Sequence, residues 1–217
     1  MASAIKSHNG MMGSADKTTT SSPPGVANQI RWDRVVQAAA VVFEEKGYRA
    51  ATLQDVALRL GMNKASLYYY IEAKEDLLFE ILRRAHLQGI GFVEEDEDIA
   101  QAEPPIRLAS LIHRWIEGVG SRQVSVHVAE YDFRHLTGPR RQEILDMRRR
   151  IADVVEDIIR TGVRDGSFDP SIDVQMAVTT LFRMLNTDLW YLPGSRHKPD
   201  DVADWITRLF VSGLSPR

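Results

Sequence analysis

The sequence predicts an all-α fold of about nine helices. Apolar residues recur at three- and four-residue spacing almost without interruption from Trp32 to the C-terminal region. No alternating apolar and polar run is bounded by hairpin turns. Glycine, proline or a short polar capping residue stands where most of the helical runs begin or end. With 217 residues, 44% of them hydrophobic, the chain is long enough for one sizeable domain or two small ones around a real core.

Residues 1–30 are rich in Ser, Thr, Gly and Pro and read as a flexible arm, in which Lys6 and Lys17 could brush a polyanion. The first helix starts near Trp32 and places Val35, Ala38, Ala39, Val42 and Phe43 on one side, with Gly47 ending it. Thr52 caps a second helix carrying Leu53, Val56, Ala57 and Leu60, and Gly61 stops it. Asn63 can cap a short third helix. A fourth begins near Lys74, with Leu77, Leu78, Ile81, Leu82 and Ala85 at core spacing, and the acidic run Glu94–Asp98 reads as an exposed linker.

Pro104-Pro105 opens a helix through Leu108, Leu111, Ile112 and Trp115 that Gly118 and Gly120 should end. Val124 to Leu136 reads as another. Gly138-Pro139 starts a long helix with Ile144, Met147, Ile151, Val154, Val155 and Ile158 on one side; its "RRQEILDMRRR" run reads as a solvated face with internal acid partners. Asp173 caps a helix running through Phe182, Leu185 and Leu189 to Pro193-Gly194, and the last helix starts near Pro199 with Val202, Trp205, Ile206, Leu209 and Phe210 as its stripe.

Composition removes several classes of function. There are no cysteines, so disulfides, thiolate metal sites and cysteine nucleophiles are excluded. No apolar run reaches the ~18 residues of a membrane span, and the N-terminus lacks a signal-peptide core, so a cytoplasmic protein without membrane attachment is expected. His86, His113, His127 and His135 lack zinc-ligand spacing, and no phosphate loop or nucleophile elbow is present; an enzyme, a metal site and a cofactor are not expected. The net charge of −3 means that any nucleic-acid contact must come from a local patch.

Two short helices meeting near Gly61, on a longer preceding one, fit a helix-turn-helix whose second helix enters the DNA major groove. The stretch "AAAVVFEEKGYRAATLQDVALRLGMNKASLYYYIEAKEDLL", Ala38 to Leu78, resembles the DNA-binding domain of the TetR/AcrR family of transcriptional regulators, matching at Phe43, Gly47, Thr52, Val56, Ala57, Gly61, Leu67, Tyr68, Lys74 and Leu77. Leu67 and Ile71, four apart, should anchor the third helix, leaving Lys64, Ala65 and Ser66 to reach base edges. The resemblance implies that these three, with Tyr68, touch bases, and Asn63 at the start of the helix is expected among the DNA-binding residues.

Tyr69, Tyr70 and Lys74 are expected on phosphates. Thr52 should hold a phosphate at a helix N-terminus, and Gln54 should reach a base or the backbone. Ala73 stands where many relatives carry a capping residue, which weakens the expected start of the fourth helix. Residues 31–85 hold nine Lys and Arg against eight Asp and Glu, so binding must rest on a few placed contacts doubled in a dimer.

The resemblance divides the chain into the arm at 1–30, the helix-turn-helix domain at 31–78 and a ligand-binding and dimerisation body at 79–217. Wide apolar faces on the last two helices nominate Phe182, Leu185, Trp205, Leu209 and Phe210 for a homodimer interface. Trp115, His127, Tyr131, Phe133, Arg183 and Trp190 are candidates for a ligand pocket. The runs "DGSFDPSIDVQMA" and "LNTDLWYLPG" resemble a subgroup that includes acyl-CoA-responsive regulators of fatty-acid and steroid degradation. The expected partners are therefore a palindromic double-stranded DNA operator, a second copy of the chain, and a small hydrophobic effector, with acyl-CoA among the candidates. The expected output is repression. A helical protein–protein adaptor without DNA binding is the alternative; it accounts for the apolar faces but not for Thr52, Lys64 and Tyr69 together.

Overall fold

The structure, a computed structural model, describes residues 24–94, 97–120, 128–129, 131–186 and 197–216, and among these there are nine α-helices and no strand. The first helix, α1 (Pro24–Lys46), buries Val35, Val36, Ala39, Val42 and Phe43, and Gly47 follows it with φ +73°. Residues 24–30, read in the sequence as part of the arm, continue this helix. Proline pre-sets the backbone angle of a first turn, and extending an existing helix costs far less than nucleating one.

The short helices α2 (Leu53–Arg59) and α3 (Lys64–Leu67) pack on each other, and α2 packs on α1. Between them Gly61 adopts φ +66°, a conformation that L side chains avoid. Helix α4 (Lys74–Val93) has no side-chain cap at Ala73. Its start is secured from inside: the Asp76 carboxylate accepts from the Glu72 and Ala73 backbone N–H groups at 2.7 and 2.8 Å. The deficit expected at Ala73 is thus offset one turn later.

The inward face of α4 serves two cores. Leu77, Leu78, Ile81 and Leu82 join α1, α2 and α3 in the first, while Ile90 and Val93 join the second. The second core is built by α6 (Pro104–Gly120), α7 (Gly138–Asp165), α8 (Val174–Leu185) and α9 (Pro199–Leu214), with Leu111, Ile112, Ile158, Ile159, Leu181 and Ile206 fully buried. Helix α6 packs on α9, α4 on α7, and α8 on both α6 and α7.

Three expectations change. Part of the acidic run forms a one-turn helix, α5 (Glu97–Ala100), which packs on α6. Helix α6 passes through Gly118 instead of ending there, because Gly118 is a close-approach glycine: a Cβ there would lie 2.1 Å from a Phe92 ring atom. The described part of 124–136 is not one α-helix but ends in a 3-10 turn, Phe133–His135. That turn eclipses residues three apart, which lets Phe133 and Leu136 both enter the first core.

Near the C-terminal end of α7, Gly166 adopts φ +86° and Phe168 folds back, its N–H donating to the Gly162 carbonyl at 2.9 Å. The buried Phe168 ring lies where a Cβ on residue 162 would stand, 2.2 Å away, so the turn needs glycine at two places for different reasons. Leu189 and Pro193-Gly194, expected at the end of α8, lie outside the described residues. Among the described residues no helix is long and apolar enough to cross a membrane, and no three His, Cys, Asp or Glu side chains group as metal ligands.

Candidate nucleic-acid interface and effector cavity

The sequence of α3 sets the geometry of the reading head. The Asn63 side chain caps it, accepting from the Ser66 N–H and from the Ser66 hydroxyl, both at 2.9 Å. Leu67 and Ile71 are buried, as their spacing predicts, and Lys64 and Ala65 are exposed on the opposite side. The Ser66 hydroxyl proton is committed to the cap, so toward DNA this group offers its oxygen as an acceptor.

The three tyrosines separate. Tyr69 is 79% exposed and Tyr68 49%. The Lys64 ammonium lies 5.8 Å from the centre of the Tyr68 ring. Tyr70 is half-buried and stacks on Trp32 of α1, with centroids 6.3 Å apart and planes 17° apart. The Tyr70 ring packs the residues that follow α3 against α1, and Tyr69 is the most exposed of the three tyrosines.

Two assignments change. Thr52 closes a capping box: Asp55 N–H donates to Thr52 Oγ1 at 3.2 Å, while the Thr52 N–H and hydroxyl both donate to Asp55 Oδ2 at 2.8 Å. Lys46 lies 2.6 Å from the same carboxylate, and this ammonium together with the Thr52 donors holds the Asp55 pKa down at about 2. The N–H and hydroxyl of Thr52 are therefore already engaged by the Asp55 carboxylate, and Gln54 is the exposed residue of the first turn. Lys74 turns inward: its ammonium donates to the Tyr48 and Ala51 carbonyls at 2.7 and 2.8 Å, more weakly to Arg49 at 3.4 Å, and sits 4.4 Å from the Tyr48 ring centre. It pins the α1–α2 loop to α4 instead of reaching outward to DNA.

The body contains a cavity of about 270 Å³ between α4, α6, α7 and α8. Three aromatic rings form its apolar wall, Trp115 meeting Phe92 and Phe182 edge-on at 5.8 and 5.1 Å. The Trp115 indole N–H donates to Asn186 Oδ1 at 3.0 Å, which fixes that ring. Gly89 and Gly118 line the cavity, and a Cβ on Gly89 would press on Ile151 at 3.0 Å and Trp115 at 3.3 Å.

A polar pair closes another side. His86 Nδ1 lies 2.7 Å from the Leu82 carbonyl and must be the protonated nitrogen, so Nε2 accepts from Arg148 Nε at 3.0 Å. Burial, reinforced by the adjacent Arg148 charge, pushes the His86 pKa down to about 4, which keeps the ring neutral.

Of the residues expected in a pocket, Trp115 and Arg183 line this cavity. Tyr131 is exposed away from it, and Phe133 lies behind its wall in the first core, while His127 and Trp190 lie outside the described residues. His86, Phe92, Arg148 and Asn186 were missed. Arg148 stood in a basic run read as solvated, a reading its neighbours support: Arg140 pairs with Asp76, Arg149 with Asp146 and Arg150 with Glu94. Of the expected interface residues, Leu185 and Phe210 are buried within the protomer and Phe182 faces the cavity, which corrects their assignment to a partner-facing surface. Trp205 and Leu209 are each 53% exposed on one side of α9, and Met176 is 66% exposed on α8.

Comparison with known proteins agrees with this architecture. Residues 35–81 match the model of bacterial regulatory proteins of the tetR family, and residues 101–214 match a tetracyclin repressor-like C-terminal domain. The HTH-type transcriptional repressor KstR2 of Rhodococcus jostii is 28% identical over 197 residues, covering 85% of this chain and 91% of the relative. The solved structure of the ketosteroid regulator KstR2 of Mycobacterium tuberculosis superposes with a TM-score of 0.77 at 25% identity, covering 86% of this chain and 96% of that one. The Bacillus subtilis regulator FadR, solved in complex with stearoyl-CoA, shares the fold with a TM-score of 0.67 at 22% identity, covering 84% and 99%. The second of the two family matches alone spans more than half of the sequence, and with the capped reading head it establishes that the chain belongs to the tetR family of helix-turn-helix transcriptional regulators.

Proposed function

We propose that this chain is a one-component repressor that binds a palindromic operator as a homodimer and is released by an acyl thioester of coenzyme A. The cavity carries this reading. Its walls are aromatic, Arg183 is exposed at its edge, and its volume of about 270 Å³ falls just below the ~300–1,000 Å³ of pockets that enclose a whole ligand. Such a space takes an apolar acyl group and leaves a phosphorylated carrier outside, within reach of cations at the rim. The stearoyl-CoA complex of FadR, a relative of the same fold, supports the choice of ligand.

In the dimer, the exposed sides of α8 and α9, with Met176, Trp205 and Leu209, face the second copy. The twofold axis then presents two α3 helices to half-sites one helical turn of DNA apart, or a multiple of it, with Lys64, Ala65, Ser66, Tyr68 and Gln54 toward bases and Tyr69 on phosphate. Ligand favours the conformer whose heads no longer match that spacing.

The test is fluorescence anisotropy of labelled DNA flanking the protein's own gene, titrated with the folded dimer in the presence of butyryl-, octanoyl- or palmitoyl-CoA, free CoA, or octanoate. Salt-sensitive, sequence-specific binding relieved by an acyl-CoA but not by free CoA or octanoate is expected. Binding that none of the thioesters weakens would remove acyl-CoA as the effector.

A further inference from the structure

One wall of the cavity is continuous with the reading head. Arg148, on α7, donates from Nε to His86 and from a terminal nitrogen to the Ala129 carbonyl at 2.9 Å, and its guanidinium lies 4.2 Å from the centre of the Phe133 ring. Ala129 lines the cavity, yet Ala129, Phe133 and Leu136 are all packed in the core that α1, α2 and α3 share with the start of α4. Two residues past Phe133, the His135 ring stacks on Tyr48 in the α1–α2 loop, with centroids 5.2 Å apart. Thr137 donates its N–H to Glu75 at the start of α4 at 3.0 Å. A single cation facing the cavity therefore holds one end of a run of contacts whose other end touches the head at two places.

We propose that Arg148 reads the effector: an acceptor oxygen carried into the cavity, such as a thioester carbonyl, takes the donor that Arg148 now gives to the Ala129 carbonyl. Loss of that hold lets Ala129 and Phe133 shift, and with them the His135–Tyr48 and Thr137–Glu75 contacts that set the α1–α2 loop and the start of α4. The exchange swaps one oxygen acceptor for another on a charged donor, and the buried Ala129 carbonyl that loses its donor must move to find water or another partner, which drives the shift of its segment. Effector specificity then depends on an oxygen at the right depth as well as on apolar bulk. A ligand that lacks the oxygen fills the cavity and leaves Ala129 held. This inference rests on the effector-released repressor reading above.

The test measures operator affinity of the wild-type dimer, Arg148→Gln and Phe133→Leu, each with and without octanoyl-CoA and its thioether analogue S-octyl-CoA, which has no carbonyl oxygen. Ligand binding is followed separately by quenching of tryptophan fluorescence, and folding by circular dichroism. Octanoyl-CoA should release the wild type, while S-octyl-CoA should bind and release it about tenfold less. Arg148→Gln without ligand should already bind operator about tenfold more weakly and respond little to octanoyl-CoA. Phe133→Leu, which leaves the cavity lining intact, should weaken operator binding in the same direction with octanoyl-CoA affinity equal to or above that of the wild type, since it favours the released conformer, and it decides the matter if Arg148→Gln does not fold. Wild-type operator affinity in both variants, together with equal release by the two CoA derivatives, would overturn the inference. If no acyl-CoA releases the wild type while both variants still weaken operator binding, the effector reading fails and the hold of Arg148 on the head stands.

Discussion

Replacing Lys74 by methionine separates two roles that the sequence alone leaves merged. As a phosphate contact, Lys74 would add one neutralised phosphate per head, and its loss would lower the salt dependence of operator binding by ~0.9 per contact, or ~1.8 for the dimer. The structure instead places its ammonium on the Tyr48 and Ala51 carbonyls at 2.7 and 2.8 Å and beside the Tyr48 ring. Hydrogen bonds to a charged donor contribute ~1.5–3 kcal/mol each, but water can re-solvate part of this half-exposed site. A net loss of about 2–3 kcal/mol follows, which corresponds to a drop in melting temperature of roughly 4–12 °C for a chain of this size. Thermal melts of Lys74→Met, with anisotropy titrations at several salt concentrations, provide the check. A lower melting temperature with an unchanged salt slope is expected. An unchanged melting temperature with a shallower slope would refute the structural role and restore Lys74 to the DNA interface.

Five further substitutions have expected outcomes. Gly162→Ala should destabilise by about 1–3 kcal/mol, because the new Cβ overlaps the buried Phe168 ring and that strain outweighs the gain in helix propensity. Gly91→Ala on the open side of α4 should stabilise by up to ~1 kcal/mol, and paired melts compare the two. His86 titrates near 4 in the fold against an unfolded value of about 6.5, so the unfolded chain binds the extra proton between those values. Stability from this group is present above pH 6.5 and lost as pH falls to about 4, by at most ~3 kcal/mol; urea unfolding across that window should show a slope that His86→Gln flattens. Tyr69→Phe should weaken operator binding about threefold to tenfold, the loss of one exposed hydroxyl contact to phosphate per head, whereas Tyr70→Phe should have less effect on affinity; anisotropy on the same DNA tests both.

Much of the architecture was legible because helices declare themselves locally. The spacing of Val35 to Phe43, the cap at Asn63, the left-handed Gly61 and the break at Gly138-Pro139 depend on near neighbours in the chain, and each appears where the sequence places it. The buried pair Leu67 and Ile71 likewise determines which side of α3 faces outward. What the sequence could not decide is where a long or polar side chain ends up, because that depends on elements far away in the chain. Lys74 and Thr52 look like surface donors until the carbonyls of the α1–α2 loop and the Asp55 carboxylate take them. Leu185 and Phe210 share apolar stripes with exposed neighbours, and only packing against other helices separates the protomer core from the open face. Arg148 sits among arginines that pair at the surface, and it turns inward because His86 on α4 and the Ala129 carbonyl offer acceptors there. A charged group goes where its partners are, and those partners come together only when α4, α7 and the turn before α7 pack.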